Sequence, residues 1–440
     1  MRFSRYFIDI DLKSKTGEHI LINGGNGLVD RIRKEEYQIL SMWYSKNEGL
    51  GDEQRIVSPE LFDLLVKRGY IIEDTFDEEH ERNKLINKLC QKSQIRQEAC
   101  NSACFIPTYS CNFACPYCYE HDVDSHTRMT KEQVDLIFKL NGEHIRNISF
   151  FGGEPLLLSN KELIAYIVSK APDAHYSIIT NGYYLEEYFD LFRNLDFGVI
   201  QVTFDGQKED HNKSRKLKNG KGTFDKIMQG VELYCRNGLA ITIRMNVTPQ
   251  NLESCKMLKQ QVTEQPWAEM VRFELQPVFQ TDAAAKANLD KKLFKDDIAS
   301  NRKNEMLRRQ TPLASFLYLG TPLQPIVKAC DADSKYRFYD PDGNVYSCIL
   351  SVGNPKKRIA TYSENGIEYE QNSMLTRNIS TIPACQKCKY ALLCGGGCPN
   401  AIPNDKDIVT TPNCGYLKYK IDKVIPMIHQ LMFEETKAVE

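Results

Sequence analysis

Three cysteines on one short run, Cys111, Cys115 and Cys118, constrain this chain more than any other feature. Spacings of three and then two residues gather three thiols around one centre on a tight loop. The chain has 440 residues and 15 cysteines, and ten of these lie in clusters at short spacing. Cys90, Cys100, Cys104, Cys235 and Cys255 stand apart from the clusters. The segment Met1–Tyr6 lacks the apolar core of a signal peptide, and no apolar run is long enough to span a bilayer, so a reducing cytoplasmic setting is expected. Disulfides are not expected there, and clustered thiols point to metal, either zinc or an iron–sulfur cluster. In a four-iron cluster, three protein ligands leave one iron open to chemistry.

Charge narrows the partners. Lysine and arginine number 57 against 58 aspartate and glutamate, a formal net charge of −1. Such a balance creates no field that gathers nucleic acid or anionic lipid, and neither is expected as a partner. The length allows two or three domains.

Residues 1–75 read as a small domain. Phe7–Leu12 alternates as a half-buried strand, Glu18–Asn23 leads through Gly24-Gly25-Asn26-Gly27 into Leu28–Ile32, and two helices follow. Ser58 and Pro59 mark the start of the second helix. A charged segment, 76–103, has the leucine and isoleucine spacing of a linker helix. From 104 to 280, short apolar runs alternate with stretches of helical length. Phe105–Tyr109, Ile148–Phe151, Tyr176–Ile179, Val199–Phe204, Ile241–Met245 and Val271–Leu275 predict six parallel strands with crossover helices, as in an open α/β barrel. Ligands in such folds sit beyond the carboxyl ends of the strands. Residues 281–325 read as bridging helices, and 326–440 as a further cysteine-bearing domain.

The expected strand ends carry the informative residues. The cysteine run follows the first strand, with Tyr117 just before its last cysteine. Gly152-Gly153-Glu154-Pro155 follows the second, Thr180-Asn181-Gly182 the third, and Thr203-Phe204-Asp205-Gly206 with His211 and Arg215 the fourth. This set resembles the radical SAM superfamily, and the stretch from Thr203 to Arg215 resembles its sulfatase-maturase and peptide-maturase branch. The resemblance implies that Cys111, Cys115 and Cys118 hold a 4Fe-4S cluster whose open iron chelates S-adenosyl-L-methionine. Electron transfer from that cluster would then release a 5′-deoxyadenosyl radical. It further implies that Gly152, Gly153 and Glu154 receive the methionine amine, that Thr203 lies near the ribose and Tyr117 near the adenine, and that Arg215 grips the carboxylate. A planar guanidinium suits that last task. Arg244 and Asn246, ending the fifth strand, suit either the same cavity or a structural role.

Farther on, twelve residues separate Cys330 from Gly343 and four separate Gly343 from Cys348; Cys385-x2-Cys388-x5-Cys394-x3-Cys398 and Cys414 follow. The register is similar to that of SPASM domains. By that resemblance Cys385, Cys388, Cys394 and Cys414 ligate a distal auxiliary 4Fe-4S cluster, and Cys330, Cys348 and Cys398 a proximal one, making three clusters in all. The proximal set has three cysteines, and Thr321–Val327 contains none. An iron open to a substrate thiolate is one reading; Cys104, Cys255 or water as fourth ligand is the other. Residues 1–75 look like a winged-helix-like RiPP recognition element, which adds the leader of a precursor peptide to a sheet edge. A domain that caps the barrel or joins two copies is the alternative.

These resemblances imply a peptide maturase that forms an intramolecular cross-link, most readily a cysteine thioether, on a precursor peptide with a leader. A flavodoxin- or ferredoxin-type protein would supply electrons. Three other readings stand: a carbon–carbon cross-linking maturase, an anaerobic sulfatase-maturating enzyme, and a non-catalytic iron–sulfur or peptide-binding protein. In sulfatase maturases an aspartate follows the cysteine corresponding to Cys348, whereas here Ile349 does.

Overall fold

The computed structural model describes residues 1–46, 49–98, 101–118, 120, 123, 127–141, 145–277, 283–299, 323–371 and 373–434. They form two units, one of residues 1–96, 290–331 and 376–440, the other of residues 97–289 and 332–375.

The first unit begins with β1 (Arg2–Phe3), β2 (Phe7–Asp11), β3 (His19–Asn23) and β4 (Val29–Ile32). Helices α1 (Lys34–Lys46), α2 (Asp52–Val57) and α3 (Pro59–Lys67) come next, then β5 (Ile71–Ile72), antiparallel to β1. Strands β2, β3 and β4 make an antiparallel sheet in that order, with β2 and β4 at its edges. Alternation along the strands sends apolar side chains to both faces. Phe7, Leu21 and Ile32 pack with Leu40, Trp43, Leu61 and Leu65, whereas Ile8, Ile10, Ile20 and Ile22 pack with Ile425 and Tyr390. The sequence reading makes 1–75 a domain by itself. In the structure the second face of its sheet shares a core with the C-terminal stretch, because residues 1–75 have apolar cover for only one face. The 21-residue helix α4 (Glu78–Glu98) buries Ile86 against Val327, Ile379, Ile382 and Leu392.

The second unit supplies the expected parallel α/β framework. Its strands are β6 (Ser102–Phe105), β7 (Asn147–Phe150), β8 (His175–Thr180), β9 (Phe197–Phe204), β10 (Ile241–Val247) and β11 (Val271–Pro277), each parallel to the next. Between them lie α5 (Lys131–Asn141), α6 (Lys161–Lys170), α7 (Leu185–Phe192), α8 (Lys208–Ser214), α9 (Phe224–Arg236) and α10 (Leu252–Thr263). The first strand sits earlier than Phe105–Tyr109, since Pro107 has no N–H to continue a ladder.

One difference reaches beyond a boundary. The sequence reading places 326–440 in one domain. Strands β12 (Arg337–Tyr339), β13 (Asn344–Tyr346), β14 (Ala360–Ser363) and β15 (Gly366–Tyr369) instead extend the parallel sheet into a mixed sheet of ten, with β12 parallel to β6 and the rest antiparallel. All six residues of β12 and β13 are buried, so the hairpin requires a neighbour, and β6 provides an edge. The helix expected after 280 is present as α11 (Ala283–Ala299), while residues 300–322 of the expected bridge lie outside the described residues. Among the described residues, no helix is long and apolar enough to cross a membrane.

Candidate functional site

The run from Cys111 to Cys118 emerges beyond β6 and is held from three sides. Gly152 and Gly153, just past β7, lie directly on the chain that leads into it. Glycine is required here. A Cβ at Gly153 would stand 2.2 Å from the Tyr109 carbonyl oxygen, and one at Gly152 2.6 Å from that of Thr108. Gly152 also has φ +117°, which L side chains rarely adopt. The N–H groups of Gly153 and Glu154 donate to the carbonyls of Thr108 and Ser110, at 3.2 and 3.0 Å. The expected close approach of this backbone is therefore to the cysteine loop's own stem.

Glu154 is 1% exposed and fully engaged. One carboxylate oxygen accepts from Thr180 Oγ1 (2.6 Å) and the Leu156 N–H (2.8 Å), the other from the Asn181 N–H (2.7 Å). Burial raises its pKa, against the pull of those donors and of Arg215. Its side chain thus ties the end of β7 to the end of β8, and that tie sets Asn181. From there Asn181 Nδ2 donates to Asn112 Oδ1 (2.7 Å) and to Cys111 Sγ (3.8 Å), and the Phe113 N–H reaches the same sulfur at 3.4 Å. The sequence reading notes the turn but gives Asn181 no role; its position one residue after a strand end is the signal that was there to be read.

Burial pushes the Cys111 thiol up to about 12, with Glu154, Cys115 and Cys118 adding to it. Burial likewise raises Cys115, with Arg215 opposing and Cys118 and Asp205 reinforcing. The three thiols are thus near enough to act on one another. Among the described residues, however, no three His, Cys, Asp or Glu side chains converge as a formed metal site.

Arg215 is 8% exposed and lies beside the loop. Its Nη1 donates to the Tyr117 hydroxyl at 2.8 Å, and that hydroxyl donates to Asp205 Oδ2, which also accepts from Ser214 Oγ at 2.7 Å. Burial opposes the Arg215 charge, but Tyr117, Cys115 and Asp205 outweigh it and keep the guanidinium protonated. His211 supports this arginine from behind. Thr223 Oγ1 donates to the Arg215 carbonyl (2.6 Å) and so accepts from His211 Nε2 (3.0 Å), which assigns the Nε2–H tautomer. Burial and Arg215 hold the His211 pKa well below its usual value.

Among the described residues, four buried polar atoms around this network have no hydrogen-bond partner: Arg215 Nε, Asp205 Oδ1, Asn112 Nδ2 and His211 Nδ1. Each would cost about 1–3 kcal/mol if left unpaired, so together they describe a place prepared for a polar ligand. Thr203 is buried at the end of β9, beside Arg244 of β10. Arg244 and Asn246 share the less buried face of β10, with Arg244 Nε donating to Asn246 Oδ1 at 3.4 Å.

In the first unit Cys385, Cys388, Cys394 and Cys414 lie within electrostatic reach of one another, without converging as a formed metal site among the described residues. Burial raises Cys385 to about 11, with Cys388, Cys394 and Cys414 contributing. Gly395, Gly396 and Gly397 all have positive φ, and a Cβ at Gly397 would lie 1.8 Å from the Asn413 carbonyl oxygen. Arg377, 4% exposed, donates to the carbonyls of Ile408 (2.6 Å), Thr411 (2.6 Å) and Gly396 (2.7 Å). Cys330 and Cys398 are in this unit, and Cys348 is in the other.

Residues 105–261 match the Radical SAM superfamily. The chain thus carries a radical SAM domain. Radical SAM enzymes depend on S-adenosylmethionine and a 4Fe-4S cluster, and the donor set here suits both. Three thiols supply soft ligands, and Arg215 with its unpaired Nε supplies a cation for a carboxylate. The radical SAM relatives include a cysteine-type anaerobic sulfatase-maturating enzyme of Clostridium perfringens, 24% identical over 334 residues, covering 68% of this chain and 88% of the relative. Among solved structures, anSMEcpe with bound AdoMet and the Kp18Cys peptide aligns with TM-score 0.53 and 21% identity, over 75% of this chain and 98% of that one. Streptococcus suis SuiB bound to its precursor peptide SuiA aligns with TM-score 0.50 and 13% identity, over 94% and 99%. At these identities the structural likeness is one of fold.

Proposed function

We propose that this chain is a cytoplasmic peptide maturase that cross-links a ribosomally made precursor peptide. The observation that carries the reading is Arg215, a buried guanidinium with an unpaired Nε beside a three-cysteine loop, in a chain similar to a sulfatase maturase over two thirds of its length. Cys111, Cys115 and Cys118 would hold the radical-generating cluster. Arg215 would take the S-adenosylmethionine carboxylate, the backbone at Gly152, Gly153 and Glu154 its amine, Thr203 the ribose, and Tyr117 the adenine side. When bound, that cofactor supplies a hydrogen-abstracting radical. The protein's own part is to orient it: Glu154 fixes the strand ends, and His211 with Thr223 fixes the arginine.

The ligand count supports two auxiliary clusters, one on Cys385, Cys388, Cys394 and Cys414, the other on Cys330, Cys348 and Cys398. With three ligands in the second set, a substrate thiolate is its suitable fourth, and this favours a thioether over a carbon–carbon link. The N-terminal sheet, with β2 and β4 at its edges, suits addition of a leader strand. SuiB, whose fold covers 94% of this chain, binds a precursor peptide, which supports a peptide substrate. The sulfatase-maturase reading draws on the Clostridium perfringens relative and is opposed by Ile349 after Cys348.

The test is mass spectrometry of a co-expressed precursor peptide, before and after thiol alkylation, together with assay of 5′-deoxyadenosine. A loss of two hydrogens with protected cysteines supports the thioether. Fully alkylatable cysteines after the same loss would contradict it, and absence of 5′-deoxyadenosine from reduced, reconstituted protein would end the enzyme reading.

A further inference from the structure

We propose that the lysine-rich loop from Lys213 to Lys221 is the docking surface for a small acidic electron-carrier protein. The inference rests on the reading above that Cys111, Cys115 and Cys118 hold a reducible cluster, and it adds the place where the electron arrives.

Charge is the first observation. The run Lys213-Ser214-Arg215-Lys216-Leu217-Lys218-Asn219-Gly220-Lys221 carries five cations and no acidic residue, in a chain whose net charge is only −1. Arg215 is buried in the site, whereas Lys213, Lys216, Lys218 and Lys221 are exposed. Lys213 is partnered by Asp210 at 3.1 Å, and nearby Asp225 is taken by Lys208. Lys216, Lys218 and Lys221 form no ion pair among the described residues, so their field is not cancelled locally.

Position is the second. Leu217 bridges Phe113 in antiparallel fashion; the Ala114 N–H donates to the Lys216 carbonyl and the Lys218 N–H to the Asn112 carbonyl, both at 3.0 Å. The cationic loop is therefore joined by its backbone to the segment between Cys111 and Cys115. Folding places the exposed lysines beside the loop that must receive an electron, and electron transfer slows steeply with distance. Nothing in the hydrogen bonding of this hairpin calls for lysine side chains, since both tethering bonds are main-chain.

The chemistry identifies the partner. Electron-transfer encounters are small, transient and steered by opposite charge, so the carrier is a one-electron protein with an acidic rim around its reduced centre. In the step itself the carrier loses one electron and the cluster gains one; no bond forms and no proton moves.

The test uses the reconstituted full chain and the variant K216E/K218E/K221E, with photoreduced flavodoxin as the acidic probe and photoreduced deazariboflavin as a small reductant without an acidic surface. Cluster reduction is followed by stopped-flow absorbance and electron paramagnetic resonance. At low ionic strength, reversing the three charges should slow reduction by flavodoxin by about 10-fold or more while leaving the deazariboflavin rate unchanged. The wild-type flavodoxin rate should fall with added salt. Equal flavodoxin rates in the two proteins would overturn the proposal. So would a variant that keeps its flavodoxin rate but loses affinity for an acidic peptide, which would assign the surface to substrate. A wild-type protein that develops no reduced-cluster signal with deazariboflavin would defeat the cluster reading as well as the docking surface, whereas a rate change confined to deazariboflavin would indicate altered cluster access and count against docking.

Discussion

The two cysteine loops are secured by different means. Side chains at the ends of parallel strands hold the Cys111–Cys118 loop, with Glu154 bridging two strand ends and Asn181 donating to a cysteine sulfur. A guanidinium gathers the other, as Arg377 donates to the carbonyls of Ile408, Val409, Thr411 and Gly396 around the Gly395–Gly397 turn. Strand ends project functional groups into a shared space, which leaves Arg215 Nε, Asp205 Oδ1 and Asn112 Nδ2 without partners among the described residues. A guanidinium that draws carbonyls together closes a loop on itself. The first arrangement suits a ligand that comes and goes, the second a group held permanently.

Paired glycine substitutions should break this contrast most visibly. Gly153→Ala would force a methyl to within 2.2 Å of the Tyr109 carbonyl, and Gly397→Ala to within 1.8 Å of that of Asn413. Each should cost about 1–3 kcal/mol or more through backbone displacement. Gly153→Ala should abolish S-adenosylmethionine cleavage while leaving the iron bound by the Cys385 set; Gly397→Ala should lower iron content while S-adenosylmethionine affinity persists. Iron quantitation and equilibrium binding on both variants decide the matter, and identical phenotypes would show that the loops do not act separately.

Arg377→Lys tests the closed loop next. A lysine cannot span those carbonyls in the geometry of a planar fork, so about 2–3 kcal/mol of stability should be lost, seen as a lower denaturation midpoint. Asn181→Ala probes the open loop more gently. Removing an N–H···S bond disfavours the reduced, more negative cluster, so the midpoint potential should shift to a lower value in a redox titration followed by electron paramagnetic resonance. An unchanged potential would leave the Asn181 side chain with its contacts to Asn112 and the Tyr183 N–H.

The smallest effect concerns pH. His211 is held neutral in the folded chain, so the unfolded chain binds the extra proton first. Stability from this site is present above the unfolded histidine pKa, about 6.5, and is lost as pH falls below it. Denaturant midpoints at decreasing pH should drop more in the wild type than in His211→Gln; parallel curves would show that His211 is not the group responsible.

Much of this was legible because local chemistry is strong. Six apolar runs separated by helical stretches could form little other than a parallel sheet, and strand-end glycines, cysteines and Arg215 follow from that arrangement. The sequence by itself gives the lysines flanking Arg215 no role, since only the pairing of Leu217 with Phe113 brings them to the cysteine loop. Asn181 was equally invisible as a sulfur donor, because its contact crosses 70 residues of sequence.

By itself the sequence determined the elements and the cysteine register, since backbone propensity, turn chemistry and ligand spacing all act over a few residues. Tertiary structure alone decided that β12–β15 extend the sheet of β6, that the N-terminal sheet shares its core with the C-terminal stretch, and which buried polar atoms are left unpaired. Those outcomes depend on which apolar face finds cover and which donor finds an acceptor, and both are settled only when distant segments meet.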